Sequence, residues 1–238
     1  MLYRRSSMVV ILLVCIQVQQ RDRSMARTVG SHGPRTMETI RRVGLLLIHK
    51  HGYEAMSLRQ LASEVGIQAG SLYNHITTKQ ELLFDLIKTH MDELLQETDR
   101  ALKGIEDPDD QLKAFIAFHL DYHTAHKREV FISYSELRSL EPGNYGAVVA
   151  LRRAYERKLI DILDCGVARR EFAVSDTTVA AFGILAMLTG VCTWFKPSGR
   201  LSKEQVIEIY SDMVLKGLAW TPAQSSGRRP QTDVVSVA

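Results

Sequence analysis

Cysteine is scarce in this chain of 238 residues. Cys15, Cys165 and Cys192 stand far apart, with none of the paired spacing that a zinc site requires. So sparse and odd a set excludes a disulfide framework and reads as a reduced, intracellular protein. The signatures of catalysis are missing too: no nucleophile elbow, phosphate loop or His-Glu-x-x-His motif occurs. A helical enzyme is therefore only a remote alternative, and no cofactor is expected. No segment alternates apolar and polar residues with period two for long enough to make a strand.

Membrane-spanning length is lacking at the N-terminus as well. Met8–Ile16 is a nine-residue apolar run behind Arg4 and Arg5, well short of the roughly 20 residues a spanning helix needs. Gln17, Gln19 and Gln20 follow, then Arg21, Asp22 and Arg23, with no small-residue cleavage site of a secretory leader. We expect over 1–34 either a disordered basic extension or an over-extended start with Met25 as the true beginning, no membrane attachment and a cytoplasmic location.

Charge is present, but unevenly. Residues 1–88 hold 12 Lys/Arg against 6 Asp/Glu, and the remainder 18 against 21, which together give the net +3. A basic front and a mildly acidic back suit a nucleic-acid-binding N-terminus joined to a domain with another task.

Apolar periodicity of 3.6 predicts an all-α protein of about nine helices. The first runs over about Thr36–His51, with Ile40, Val43, Leu46, Leu47 and His51 on one face. Ser57 caps a short helix that Gly66 closes, and a third covers about Ala69–His75. Thr77 or Thr78 caps a long helix with Leu82, Leu83, Leu86, Ile87, Met91 and Leu94 at core spacing. Beyond Gly104–Asp110, helices are expected at about Gln111–Ala125, Arg128–Leu140, Tyr145–Cys165, Asp176–Phe195 and Lys203–Leu218. The breaks between them are assigned to Pro142-Gly143, Gly166 and Pro197-Ser198-Gly199. The tail from Thr221 is rich in Pro, Ser, Gly and Arg and reads as disordered. The expected domains are 35–80, a DNA-reading head, and 81–220, an effector-binding and dimerisation bundle, with 221–238 as the tail.

A helix-turn-helix needs two short helices that cross closely. Ala62 offers the small residue at the crossing, and Gly66 the left-handed turn. Leu61, Val65, Ile67, Leu72 and Ile76 point inward. Gln68, Ser71, Tyr73, Asn74 and His75 point outward, polar or amphipathic, where they can reach base edges and phosphates.

These residues carry a family likeness. Gly52-Tyr53 before Ser57, Ala62 through Gly66, Leu72-Tyr73-Asn74-His75-Ile76, and Lys79 with Glu81-Leu82 make Thr36–Leu94 resemble the TetR family of one-component regulators. Ile76 stands where the family commonly has an aromatic. The resemblance implies phosphate contacts from Ser57, Tyr73, His75 and Lys79, and base contacts from Gln68, Ser71 and Asn74. It also implies a palindromic double-stranded operator and a repressor released by a small molecule. Arg21, Arg23, Arg27 and Arg35 form either an arm along the duplex or a solvated basic tail.

Over residues 105–220 the likeness is looser. Glu136–Leu140 and Trp194–Ser202 look like the branch that responds to acyl-coenzyme A esters or related lipid catabolites. Phe115, Phe118, His119, Tyr122, Phe131, Tyr134, Met187 and Trp194 are candidates for lining an effector cavity, with Arg138 near a ligand carbonyl or phosphate, although core packing accounts for many of them equally well. His119, His123 and His126 share a helix face and supply the alternative reading, a metal-responsive regulator. The helix over 176–195 is apolar on all sides and must be buried; with 203–218 it is the candidate homodimer interface.

Overall fold

Five of the helices begin where a side chain satisfies open backbone amides of the first turn. The computed structural model describes residues 33–219; apart from Gly33 and Pro34, the expected extension lies outside the described residues, as does the tail over 221–238. Within them the chain forms nine α-helices and one 3-10 turn, with no strand ladder. Helix α1 (Gly33–His51) begins earlier than periodicity suggests and already contains Arg35. Helices α2 (Leu58–Val65) and α3 (Ala69–Leu72) form the helix-turn-helix, and α4 (Lys79–Leu102) leads out of it. The rest are α5 (Pro108–Ala125), α6 (Lys127–Ser135), a 3-10 turn (Leu137–Ser139), α7 (Pro142–Ala168), α8 (Thr177–Trp194) and α9 (Lys203–Leu218).

Ser57, Thr78, Asp107, Asp176 and Ser202 all cap their helices through side-chain oxygens. Thr77 contributes from the other side, its backbone amide and hydroxyl both donating to Glu81 at 2.7 Å. Of the residues placed on the inner face of α1, Ile40, Val43 and Leu47 are buried with Gly44 and Ile48, whereas Leu46 and His51 are exposed. The helix turns 100° per residue, and the buried stripe follows Ile48 rather than His51. Helix α3 also stops short of His75: residues 73–75 continue as a turn, bonded His75 N–H to Leu72 carbonyl at 2.9 Å.

Two expected breaks fall elsewhere. Pro142 starts α7 instead of ending its predecessor, since a proline at the first helical position forfeits no hydrogen bond. Gly166 lies inside α7, buried, and a Cβ there would stand 2.1 Å from the Phe172 ring. Its glycine serves close approach rather than a turn. The chain reverses afterwards through Arg170, at φ 62°, and the Ala173 amide donates to the Leu218 carbonyl at 2.7 Å. That bond ties the α7–α8 connection to the end of α9.

Helix α5 is the centre of the bundle, touching α4, α6, α7, α8 and α9. Leu112, Phe115, Ile116 and Leu120 on α5 are buried with Leu159 and Leu163 on α7 and Leu188 on α8. In the head, Ile40, Ile48, Leu61, Leu72, Ile76, Leu82 and Leu83 are all essentially inaccessible. Only Ala181, Ile184, Leu188 and Val191 of α8 are buried, and Val179, Phe182 and Trp194 are at least half exposed or nearly so (64%, 50% and 49%). Burial of α8 on all sides is thus not achieved within one copy of the chain.

Candidate nucleic-acid interface and effector cavity

The turn between α2 and α3 has the geometry that Gly66 foretells. Gly66 sits at φ 79°, ψ 27°, and the Ile67 amide donates to the Ala62 carbonyl at 3.0 Å. Ala62, Leu61, Leu72 and Ile76 are buried, and Val65 and Ile67 partly so. With its apolar side so occupied, the pair presents Gln68, Ser71, Tyr73 and Asn74 to solvent, while His75 is half-buried. Ser57 is exposed, and its oxygen accepts from the Gln60 amide at 3.1 Å. The hydroxyl hydrogen is left to donate outward.

Lys79 is held at the edge of this surface. Its Nζ donates to the Glu54 carbonyl at 3.1 Å and lies 4.3 Å from the centre of the Tyr53 ring. An exposed loop and a buried aromatic thus fix a cation beside the outward residues of α3.

Two adjoining cavities in the bundle share part of their walls. The outer one, about 730 Å³, is walled by Phe131, Tyr134, Ala186, Gly190, Cys192 and Thr193, with Lys127 and, from α1, His49. The inner one, about 50 Å³, is walled by His90, His119, His123, Ser133, Arg152, Tyr155 and Glu156 among others. Val130, Tyr134 and Thr189 belong to both walls. Burial drives the inner histidines toward the neutral form: His119 is held down at about 3 and His90 at about 4, the latter also by His126 and Arg152. His123 lies well below the ordinary value, again through burial first. Neutral His119 sits between the Tyr155 hydroxyl at 2.9 Å and the Thr189 hydroxyl at 3.2 Å.

The residues expected to line one cavity divide. His119 and Tyr134 border the inner chamber, and Phe131 and Tyr134 the outer one. Phe115 is fully buried, packed at 5.4 Å from the Tyr155 ring. Phe118, Tyr122 and Met187 pack into the core cluster or against it, and Arg138 is exposed on the 3-10 turn. Trp194 borders a separate hollow with Lys196 and Arg200. Sequence reasoning misses Lys127, His49, His90, Arg152 and Thr189. His90 does carry a signal, as a polar residue inside the apolar stripe of α4 that runs through Leu86, Ile87, Met91 and Leu94.

The three-histidine metal reading loses its geometry. His119 and His123 stack at 3.7 Å between ring centres, while His126 turns back to place Nδ1 2.9 Å from the Tyr122 carbonyl. Among the described residues, the ligand atoms that do converge belong to Asp107, Asp109 and Asp110. There the Asp107 carboxylate accepts from the other two amides and caps α5.

Head and bundle meet at a small hydrogen-bonded junction. The Gln80 side-chain amide donates to the Ser139 carbonyl at 2.5 Å, and its oxygen accepts from the Glu141 amide at 3.1 Å. Glu136 accepts from the Tyr53 amide at 3.4 Å and from the Ser139 hydroxyl at 3.0 Å. His49 on α1 meets Phe131 on α6 edge to face at 5.1 Å. Arg41 grips Asp85 with two bonds of 2.7 and 2.8 Å, which joins α1 to α4.

Comparison with known proteins agrees with this arrangement. Residues 40–86 match the family model described as bacterial regulatory proteins, tetR family, and residues 106–218 match the tetracyclin repressor-like C-terminal domain. The HTH-type transcriptional repressor KstR2 of Mycolicibacterium smegmatis is 28% identical over 169 residues, covering 70% of this chain and 82% of that protein. Among solved structures, the TetR family regulator PfmR of Thermus thermophilus is 29% identical with a TM-score of 0.68, covering 74% of this chain and 97% of that one. AibR, solved in complex with isovaleryl coenzyme A and operator DNA, is 27% identical with a TM-score of 0.69, covering 75% and 97%.

Proposed function

Because the chain belongs to the TetR family of bacterial regulatory proteins, we propose that it is a dimeric transcriptional repressor released from a palindromic operator by an acyl-coenzyme A ester or similar lipid-like effector. Its family is one of regulators and not of enzymes, and a repressor of chromosomal DNA works in the cytoplasm. Residues 35–80 form the reading head and 81–220 the effector and dimer domain. Ser57, Tyr73, His75 and Lys79 anchor phosphates, and Gln68, Ser71 and Asn74 read base edges.

The observation that carries this reading is the composition of the outer cavity wall. A solvent-open hollow of about 730 Å³ has room for a drug-sized ligand. Its lining is mainly apolar, Lys127 adds a cation suited to phosphate, and His49 belongs to the reading head itself. An effector lodged there presses on α1 directly and on α4 through the Gln80 junction. Release requires that the effector bind the DNA-incompetent arrangement more tightly than the competent one.

The KstR2 repressors and the coenzyme A ester bound by AibR support the same class of function and effector. The test is fluorescence anisotropy of labelled operator DNA with a panel of acyl-coenzyme A esters. At least one ester should weaken operator binding about tenfold, a coupling of typical size for allosteric regulators. A panel that leaves both DNA affinity and melting temperature unchanged refutes the effector assignment.

A further inference from the structure

We propose that the inner chamber receives a carboxylate carried at the far end of the acyl group, so that the effector is the ester of a dicarboxylic acid. This rests on the acyl-ester reading above and goes beyond it by naming the part of the ligand that confers selectivity.

Three polar atoms around this chamber are buried and meet no hydrogen-bonding partner among the described residues: His90 Nδ1, His123 Nδ1 and Arg152 Nε. The histidines are only 5% and 4% exposed, so solvent does not supply what the protein withholds. A buried polar group without a partner is costly, and one in a native fold calls for an explanation. Three around one small chamber, from α4, α5 and α7, point to a ligand group that pairs with all of them.

The donor set selects that group. Arg152 is a permanent cation whose Nη2 donates to the Ser133 carbonyl at 2.6 Å and whose guanidinium lies over the Tyr134 ring at 4.4 Å. Glu156, one turn further along α7, lines the same chamber yet forms no ion pair with it. A half-buried arginine without a carboxylate partner favours an incoming one, and the guanidinium fork matches carboxylate geometry. Each neutral imidazole can choose the tautomer that donates from Nδ1. A chamber of about 50 Å³ admits a terminal group and not a ring or chain. The chain itself fits the outer cavity, which shares Val130, Tyr134 and Thr189 with the inner one.

The test is calorimetric titration of the full chain with three six-carbon coenzyme A esters: hexanoyl, adipoyl and 5-oxohexanoyl. Adipoyl-coenzyme A should bind about tenfold tighter than hexanoyl-coenzyme A, as expected for a charge-assisted pair replacing a methyl group. The preference should fall to roughly twofold in Arg152→Gln and, independently, in His123→Leu, with hexanoyl binding retained in whichever variant folds. Equal binding of adipoyl and hexanoyl esters by the unaltered protein overturns the inference and leaves the acyl-ester reading standing. Tight binding of the oxo ester equal to that of adipoyl overturns the carboxylate assignment. Failure of all three esters to bind overturns the inference, and the acyl-ester reading falls with it if the wider panel also leaves DNA affinity and melting temperature unchanged.

Discussion

Lys79 combines three contacts in one side chain: a backbone carbonyl, an aromatic face and, 3.7 Å away, the Glu54 carboxylate. Exposed pairs of this kind add little stability, so Lys79→Ala should leave the fold intact while weakening binding to every DNA sequence alike and lowering the salt slope by about one. Asn74→Ala should instead relax preference at a single operator position, which a randomised operator selection would reveal. Equal effects of the two changes across that selection refute the division of roles. At Gly166 a methyl group meets the buried Phe172 ring, and Gly166→Ala should cost on the order of 1–3 kcal/mol by urea unfolding. Gly44 makes the contrast: a Cβ there meets only the end of the Leu82 side chain, at 3.0 Å. The better helix propensity of alanine offsets that contact, and Gly44→Ala should change stability by less than about 1 kcal/mol. The inner histidines make a pH prediction. His119 and His90 are depressed to about 3 and about 4 in the folded chain, against roughly 6.5 when unfolded. As pH falls below roughly 6.5 the unfolded chain takes up protons first, so stability is flat above that value and declines below it. Thermal melts between about pH 8 and 5 should show the decline, on the order of 1 kcal/mol per histidine per pH unit.

On the function proposed above, helices rather than single residues would carry the signal between cavity and DNA. The start of α4 and the 3-10 turn are joined by both ends of the Gln80 amide. If the junction transmits the coupling free energy, Gln80→Ala should keep operator affinity within about twofold and lower several-fold the ratio of DNA affinities measured without and with effector. An unchanged ratio refutes transmission through this junction. How far these elements are legible in the sequence depends on the range of the forces that set them. Ser57, Gly66 and Thr78 act within one helical turn, so local chemistry alone traces the reading head. The bundle helices are also visible, but Pro142 and Gly166 mislead because each has two uses, one local and one tertiary. The cavity is least legible. The outer wall draws His49, Lys127 and Thr189 from three different helices, and no spacing along one helix reveals a space between several. Aromatic residues such as Phe115 point equally to core and cavity, and the fold assigns that one to the core.

For the whole molecule, α8 is the decisive surface. Its 18 residues have a mean hydropathy of 1.6, enough in length and composition for a membrane span, yet it packs against α5 and α7 of the bundle. Val179 and Phe182 on α8, with Ile209 and Met213 on α9, stay exposed in the single chain. A second copy covering them would form the isologous interface of a two-fold dimer. If α8 forms the dimer interface, Phe182→Glu should shift sedimentation toward monomer and reduce operator affinity by more than about tenfold, because a dimer binds two half-sites at once. An unchanged dimer places the interface elsewhere. The exposure of α8 also sets how occupancy responds to supply. While copies are mostly separate, the abundance of the DNA-bound species follows the square of protomer concentration, by mass action. Halving the number of chains in a cell would then quarter the amount of dimer available, so dilution by growth alone would lift repression more steeply than a one-copy regulator allows.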